Sequence, residues 1–393
     1  KVRSQYTFKT HIVWRKKGLY MNDLANAATN PSLGVFIFAL GGLAGAVFYL
    51  PFKKVKSWAW ESYWLIYALF GLLIVPWAIT FAVSPNVFSV LKAAPTNEII
   101  YCYLCGAAWG IGGLTWGLMI RYLGVGLGLA FGCGICSAAG TLIPKLIRGE
   151  FGSLFESSAG IVSFVGVLIS LIGIVLIGIA GMSKEKELSD AQKKQGVAEF
   201  DFKKGLIAAL FSGLMSSAMG LGLVGGPKIQ ELALTTMPTT SMTWAGMPVL
   251  VVVLLGGLTV NFLWCLYLNI KNKTIKDYIK TETPLLANLI FAGIAGAVWC
   301  SQFVCFKTGE PAMGPTAYVG WALLMACQIL FGSIIGIILG EWKGTSRKTK
   351  ILLTAGLLLL VLTSVISGYS GKLSQKDTLA NDTPIIQAMS AAR

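Results

Sequence analysis

Apolar runs of roughly 18 to 25 residues alternate with short polar connections along this chain, and a helix of about 20 apolar residues covers the ~30 Å of hydrocarbon in a bilayer. Ten such runs are predicted, near 33–50, 63–83, 99–120, 122–143, 161–181, 205–224, 246–268, 285–306, 316–340 and 351–370. The pattern predicts an all-α membrane protein, because in lipid every backbone amide and carbonyl must be satisfied within its own segment. Pro76 and Pro248 fall inside apolar runs and are expected to kink or locally unwind their helices.

The longest polar connection, 182–204, divides the runs five and five. Halves with an odd number of spans must have opposite orientation, so a 5+5 inverted repeat is expected, with a solute site near the bilayer midplane between the halves. The expected organisation is therefore an N-terminal tail over 1–32, a first half over 33–181, a connection over 182–204, a second half over 205–370 and a C-terminal tail over 371–393. Only a short stretch hints at a repeat within the sequence itself: the first span runs into LPFKKVKSW and the sixth into GGPKIQEL.

Composition agrees with the bilayer as solvent. The 393 residues are 55% hydrophobic and 12% charged, against about 25% charged in a soluble domain. Many of the 46 glycines recur at four-residue spacing within runs, as at Gly41 and Gly45, Gly106 and Gly110, and Gly332, Gly336 and Gly340. That spacing lets helix backbones approach closely. The net charge of +15 does not point to nucleic acid, because the basic residues lie in the connections. Connections after odd-numbered spans hold 18 Lys and Arg and those after even-numbered spans five, which predicts cytoplasmic odd connections and both termini on the outer side. Residues 1–20 carry a basic cluster that opposes this topology. A start at Met21 would remove it, so 1–20 are expected to be an extension to the native protein.

Catalytic chemistry is missing. The one histidine, His11, lies in the tail, which excludes a histidine-based metal site or a Ser-His-Asp arrangement from the bundle. No GxxxxGK[ST] sequence occurs. Two CxxC pairs, Cys102/Cys105 and Cys133/Cys136, sit at depths too uneven for four ligands around one ion and read as small packing residues. No catalytic residue, metal or cofactor is therefore expected. None of the ten spans carries an acid in its interior; the nearest are Glu61, Glu98, Glu231, Glu310 and Glu341, at span ends or in connections. Glu231, three residues after Lys228, could pair with it and couple protonation to gating. The alternative is an ordinary interfacial ion pair.

Neutral polar and aromatic groups inside spans are the candidates for substrate contact, because a sugar offers hydroxyls to amides and C–H faces to aromatic planes. Trp109 and Trp116 share a helix face, Asn261 is mid-span, Gln302 follows Trp299, and Gln328 lies seven residues after Trp321, itself three after Tyr318. Interhelical hydrogen bonding and packing are the competing roles for each.

The stretches FYLPFKKVKSWAWESYW (48–64), WGIGGLTWGLMIRYLGVGLG (109–128), GTLIPKLIRGEF (140–151), FDFKKGLIAALFSGLMSSAM (200–219) and GIILGEWKG (336–344) resemble the L-rhamnose–proton symporter family of the drug/metabolite transporter superfamily, in order over nearly all of 33–370. The resemblance implies a ten-helix inverted-repeat carrier that takes up L-rhamnose or a related deoxy-sugar with a proton across a bacterial inner membrane. Sugar, protons and the lipid bilayer are then the partners. The family's Lys-Pro-x-x-x-Glu feature appears rearranged as Pro227, Lys228 and Glu231; the aromatic run of helix eight is WCSQFVCF; and the connection KTGEPAMGP lacks the family's histidine. An exporter or uncoupled facilitator of another small metabolite is the alternative reading within the superfamily.

Overall fold

In the computed structural model, residues 30–147, 152–155, 157–189, 199–280, 282–313 and 320–363 are described, with isolated positions up to 373. The described residues are helical with no strand. In chain order the helices are α1 (Pro31–Val47), α2 (Trp60–Leu69), α3 (Val75–Val83), α4 (Val87–Ala93), α5 (Thr96–Leu123), α6 (Val125–Ile147), α7 (Ser158–Glu187), α8 (Phe202–Val224), α9 (Pro227–Thr235), α10 (Met247–Lys271), α11 (Leu285–Met313), α12 (Gly320–Ile338) and α13 (347–363). Among the described residues, seven stretches are long and apolar enough to cross a membrane: Ser32–Lys54, Trp60–Val83, Thr96–Leu123, Gly160–Lys184, Phe202–Thr235, Met242–Lys271 and Leu285–Met313. The tail over 1–29 and the centre of the long connection, 190–198, lie outside the described residues.

Three sequence expectations are corrected. Pro248 starts α10 instead of kinking it, in the first turn where no amide donor is missed. Pro76, by contrast, does perturb its helix: a π turn over Phe70–Ile74 precedes it and widens the coil where the proline ring would meet the preceding turn's carbonyl. The long connection begins at Leu188, because α7 continues through the charged residues to Glu187. The third change matters most for function. Helix α11 does not stop at Phe306 but runs to Met313 through Pro311, so Lys307 and Glu310 lie in a helix and not in a connection.

Helices are held by backbone contact at glycines. A Cβ on Gly106 of α5 would lie 1.8 Å from the Val253 carbonyl oxygen of α10, and one on Gly257 of α10 would lie 3.3 Å from the Gly106 carbonyl oxygen. The same motif recurs between α11 and α2 and its π turn. A Cβ on Gly296 would lie 2.4 Å from the Tyr67 carbonyl oxygen, and one on Gly71 would lie 2.8 Å from the Gly296 carbonyl oxygen. Around these crossings α8 packs on α5 and α6, α1 on α11 and α12, and α6 on α12.

Helix ends are closed by carboxylates from other elements, because the first amides of a helix lack intrahelical acceptors and carry its positive dipole end. Glu341 accepts from Val125 N and Gly126 N, at 2.7 and 3.0 Å, at the start of α6. Glu187 accepts from Ser346 N at 2.7 Å and from the hydroxyls of Ser346 and Thr349 at the start of α13. Asp277 accepts from Ala59 N at 2.8 Å before α2, and Glu98 from Lys228 N at 3.0 Å at the start of α9. Burial pushes the Glu341 carboxyl above the ordinary range, opposed by its backbone donors and the Lys184 charge. Lys184 is itself buried, with its ammonium 4.8 Å from the ring centroids of Phe200 and Trp342.

Gly106→Val is expected to destabilise the detergent-solubilised protein by at least ~3 kcal/mol through overpacking, whereas Gly117→Ala, whose Cβ would meet nothing closer than 3.6 Å, keeps the wild-type Tm. Thermal unfolding read by size-exclusion recovery checks both. A carboxyl with a raised folded pKa contributes stability that is present below its unfolded pKa and lost as pH rises through the folded one. Glu341→Gln is therefore expected to flatten the fall in Tm on the alkaline side of the ordinary carboxylate range, measured as Tm against pH.

Candidate functional site

One cavity lies where α1, α2, α5, α6, α8, α10, α11 and α12 converge. Of the eight residues expected to contact substrate, the structure places seven at its wall: Trp109 and Trp116 of α5, Asn261 of α10, Trp299 and Gln302 of α11, and Trp321 and Gln328 of α12. Tyr318 lies outside the described residues. None of the described lining residues is charged. A solute held there has to be recognised through hydroxyls, amides and aromatic faces, not by ion pairing.

Aromatic planes form the largest part of the wall. Trp109 and Trp299 stack with centroids 4.8 Å apart and 27° between planes, and Tyr67 meets Trp299 edge-on at 6.0 Å. Stacked indoles present flat, weakly negative faces against which the C–H face of a ring can lie. Trp109 is placed there by the glycine crossing itself, since its ring packs over Gly257, where a Cβ would come within 2.5 Å of it.

The polar groups divide into committed and uncommitted. Asn261 is committed: its carbonyl accepts from Trp64 Nε1 at 2.9 Å, and its amide donates to the Gly257 carbonyl at 2.9 Å. The first of these bonds ties α10 to α2. Gln328 donates to the Gly45 carbonyl of α1 at 3.0 Å. Four lining groups, however, are buried with no hydrogen-bond partner: the Tyr49 and Ser216 hydroxyls, Gln302 Oε1 and Trp321 Nε1. An unpaired buried polar group costs about 1–3 kcal/mol, and four around one cavity offer donors and acceptors together. A polyol, whose hydroxyls both give and take hydrogen bonds, matches that set.

Sequence reasoning missed Tyr49, Trp64, Tyr67 and Ser216. The tyrosine precedes PFKKVK by two residues and Trp60, Trp64 and Tyr67 follow at helical spacing, a signal visible in the sequence; Ser216, on a helix rich in small residues, had none. Gly45 stood out in the sequence only for its four-residue spacing from Gly41. A Cβ there would lie 2.2 Å from Gln302 Oε1 and 2.9 Å from the Gln328 amide carbon, so only glycine leaves room for both amides at the cavity.

Charged groups lie outside the cavity's lining. Lys228 and Glu231 form an ion pair at 2.7 Å on α9, with side chains 61% and 58% exposed. Lys307 and Glu310 form a second pair on α11, with side chains only 3% and 17% exposed. The cysteines are free, and no cluster of three potential metal ligands occurs among the described residues.

A model of the L-rhamnose-proton symport protein family matches residues 25–372. The L-rhamnose-proton symporter of Citrobacter koseri is 31% identical over 349 residues, covering 88% of this chain and 98% of the relative. Those of Yersinia pestis and Klebsiella pneumoniae are 32% and 30% identical over 340 and 341 residues, each covering 86% of this chain and 97% of the relative. No solved structure matches.

Proposed function

The chain belongs to the L-rhamnose-proton symport protein family, and on that footing we propose that it is a secondary active transporter, not an enzyme, taking up L-rhamnose or a related deoxy-sugar with protons across a bacterial inner membrane. The observation that carries the reading to a site is the uncharged cavity, with a stacked tryptophan pair and four unpartnered polar groups in its wall. A deoxy-hexose has both surfaces such a wall requires, a hydroxyl-bearing edge and an apolar one bearing the methyl. Trp109, Trp116, Trp299, Gln302, Trp321 and Gln328 are proposed to contact it, with Tyr318 the remaining candidate. Asn261 holds Trp64 through the hydrogen bond it accepts from Nε1.

A ten-span 5+5 inverted repeat, with halves over 33–181 and 205–370, is the architecture that fits this function. Two observations support it. Packing partners exchange between halves: α1 meets α11 and α12 as α8 meets α5 and α6, and α2 meets α11 as α10 meets α5. The glycine crossings exchange in the same way, Gly106 and Gly257 matching Gly296 and Gly71. Under that correspondence the stacked Trp109 and Trp299 are equivalent positions, so the stack lies on the pseudo-two-fold axis, where an alternating-access carrier holds its solute. The bias of basic residues toward the odd connections supports external termini.

Uptake of radiolabelled L-rhamnose into proteoliposomes under an inward proton gradient tests the function, with accumulation as the expected result and no uptake by inserted protein as the defeat. Trp109→Ala and Gln302→Ala are expected to lower uptake at least about tenfold while membrane expression is kept, and Gly45→Ala to do the same by displacing both amides. Wild-type uptake by all three rules the cavity out as the sugar site. For the proton, the sequence offers Glu231 with Lys228 as its partner. If that carboxylate is the carrier, Glu231→Gln loses gradient-driven accumulation and keeps exchange of labelled sugar; undiminished accumulation removes the pair.

A further inference from the structure

Resting on the symport reading, we propose that Glu310, held by Lys307, is the proton-carrying group, and that their ion pair latches one end of the sugar cavity shut. The described cavity wall holds no carboxylate or amine, so a proton that moves with the sugar must be carried by a group beside it. Lys307 is one helical turn beyond Phe303 on α11, and Phe303 lines the cavity. Leu223 is one turn beyond Met219 on α8, and Met219 also lines the cavity. The Lys307 ammonium crosses between these two turns: it donates to the Leu223 carbonyl at 3.2 Å, reaches Gln230 Oε1 of α9 at 3.5 Å, and pairs with Glu310. Its stem fills the space at Gly246, where a Cβ would lie 2.2 Å from Lys307 Cε. One buried side chain thus joins α8, α9 and the start of α10 to α11 directly above the cavity.

Such a pair is suited to coupling for an electrostatic reason. Two buried opposite charges are tolerable together, but neutralising one leaves the other stranded at a cost of several kcal/mol. When a proton from the outer water reaches Glu310, the carboxylate becomes a neutral acid, and the Lys307 ammonium loses the partner that kept it buried. The ammonium then gains by turning toward water, which withdraws its bond from the Leu223 carbonyl and frees α8 from α11. Closure after sugar entry expels that water again, and release of the proton on the inner side restores the pair. The exposed Lys228–Glu231 pair lacks this property, since solvent compensates either of its charges at once.

Other groups around Lys307 do not substitute for Glu310. Among the described residues, α5 contributes Cys102, whose thiol donates to the Gly222 carbonyl at 3.4 Å, and Glu98, which is committed to the amides of Lys228 and Ile229. Helix α9 contributes the Lys228–Glu231 pair. Helix α1, the turn at Met242–Trp244 and the start of α10 bring no titratable side chain.

The test compares two assays on reconstituted full-length protein with radiolabelled L-rhamnose: accumulation under an inward gradient of one pH unit, which drives about tenfold concentration by a one-proton symporter, and counterflow at equal pH. Glu310→Gln resembles the protonated carboxyl and is expected to keep counterflow while its accumulation ratio falls to about one. Glu310→Asp is expected to accumulate. The Lys307→Met/Glu310→Met double variant, which leaves no stranded charge, is expected to behave as Glu310→Gln and reports on the pair should the single variant not insert. Accumulation by Glu310→Gln or by the double variant overturns the proposal. So does loss of counterflow by inserted Glu310→Gln, because a protonated-state mimic should still exchange sugar. A wild-type protein that does not accumulate L-rhamnose defeats the uptake reading instead.

Discussion

In a bilayer no hydrophobic effect draws one helix toward another, so association depends on how closely backbones can approach and on how completely polar groups are paired. Two glycine crossings meet that constraint here, α5 against α10 and α2 against α11. At each, a side chain of any size would strike a carbonyl oxygen of the facing helix. The cavity follows from them. Close contact at Gly106, Gly257, Gly71 and Gly296 sets the helices near one another at one level, and bulky side chains immediately beyond, Trp109 and Trp299, fill the space where the helices diverge and stack across it.

A further constraint concerns charge. Apart from the pair at Lys307 and Glu310, the carboxylates act mostly at helix ends, and in several cases the cap comes from a distant part of the chain: Glu341 for α6, Glu187 for α13, Asp277 at the start of α2 and Glu98 for α9. These contacts are strong where they are made, since an anion meets both amide donors and a helix dipole, yet each is confined to one end of the bundle. A carrier that must open alternately needs interactions of this kind.

The membrane class of this protein, its helical content and the neutrality of its cavity wall are legible in the sequence, because they depend on local length and composition: twenty apolar residues can do little else in water or lipid, and a span without acids cannot build a charged wall. The seven candidate contact residues at the cavity were legible for a related reason. Polar side chains inside apolar runs are costly to place against lipid, so they turn inward, and the cavity lies where the inner faces of the helices meet.

What the sequence did not decide was which of those residues are already spent. Asn261 and Gln302 are alike as amides inside apolar spans, but the tertiary structure commits Asn261 to Trp64 and Gly257 and leaves Gln302 Oε1 without a partner. Nor could the sequence tell a buried ion pair from an exposed one. Lys228/Glu231 and Lys307/Glu310 share the same i, i+3 spacing, and the residues around Lys307 and Glu310 have the pattern of a connection, because polar residues and Pro311 follow an apolar run. Burial is set by what another helix places over a residue, and that information lies tens to hundreds of residues away in the chain.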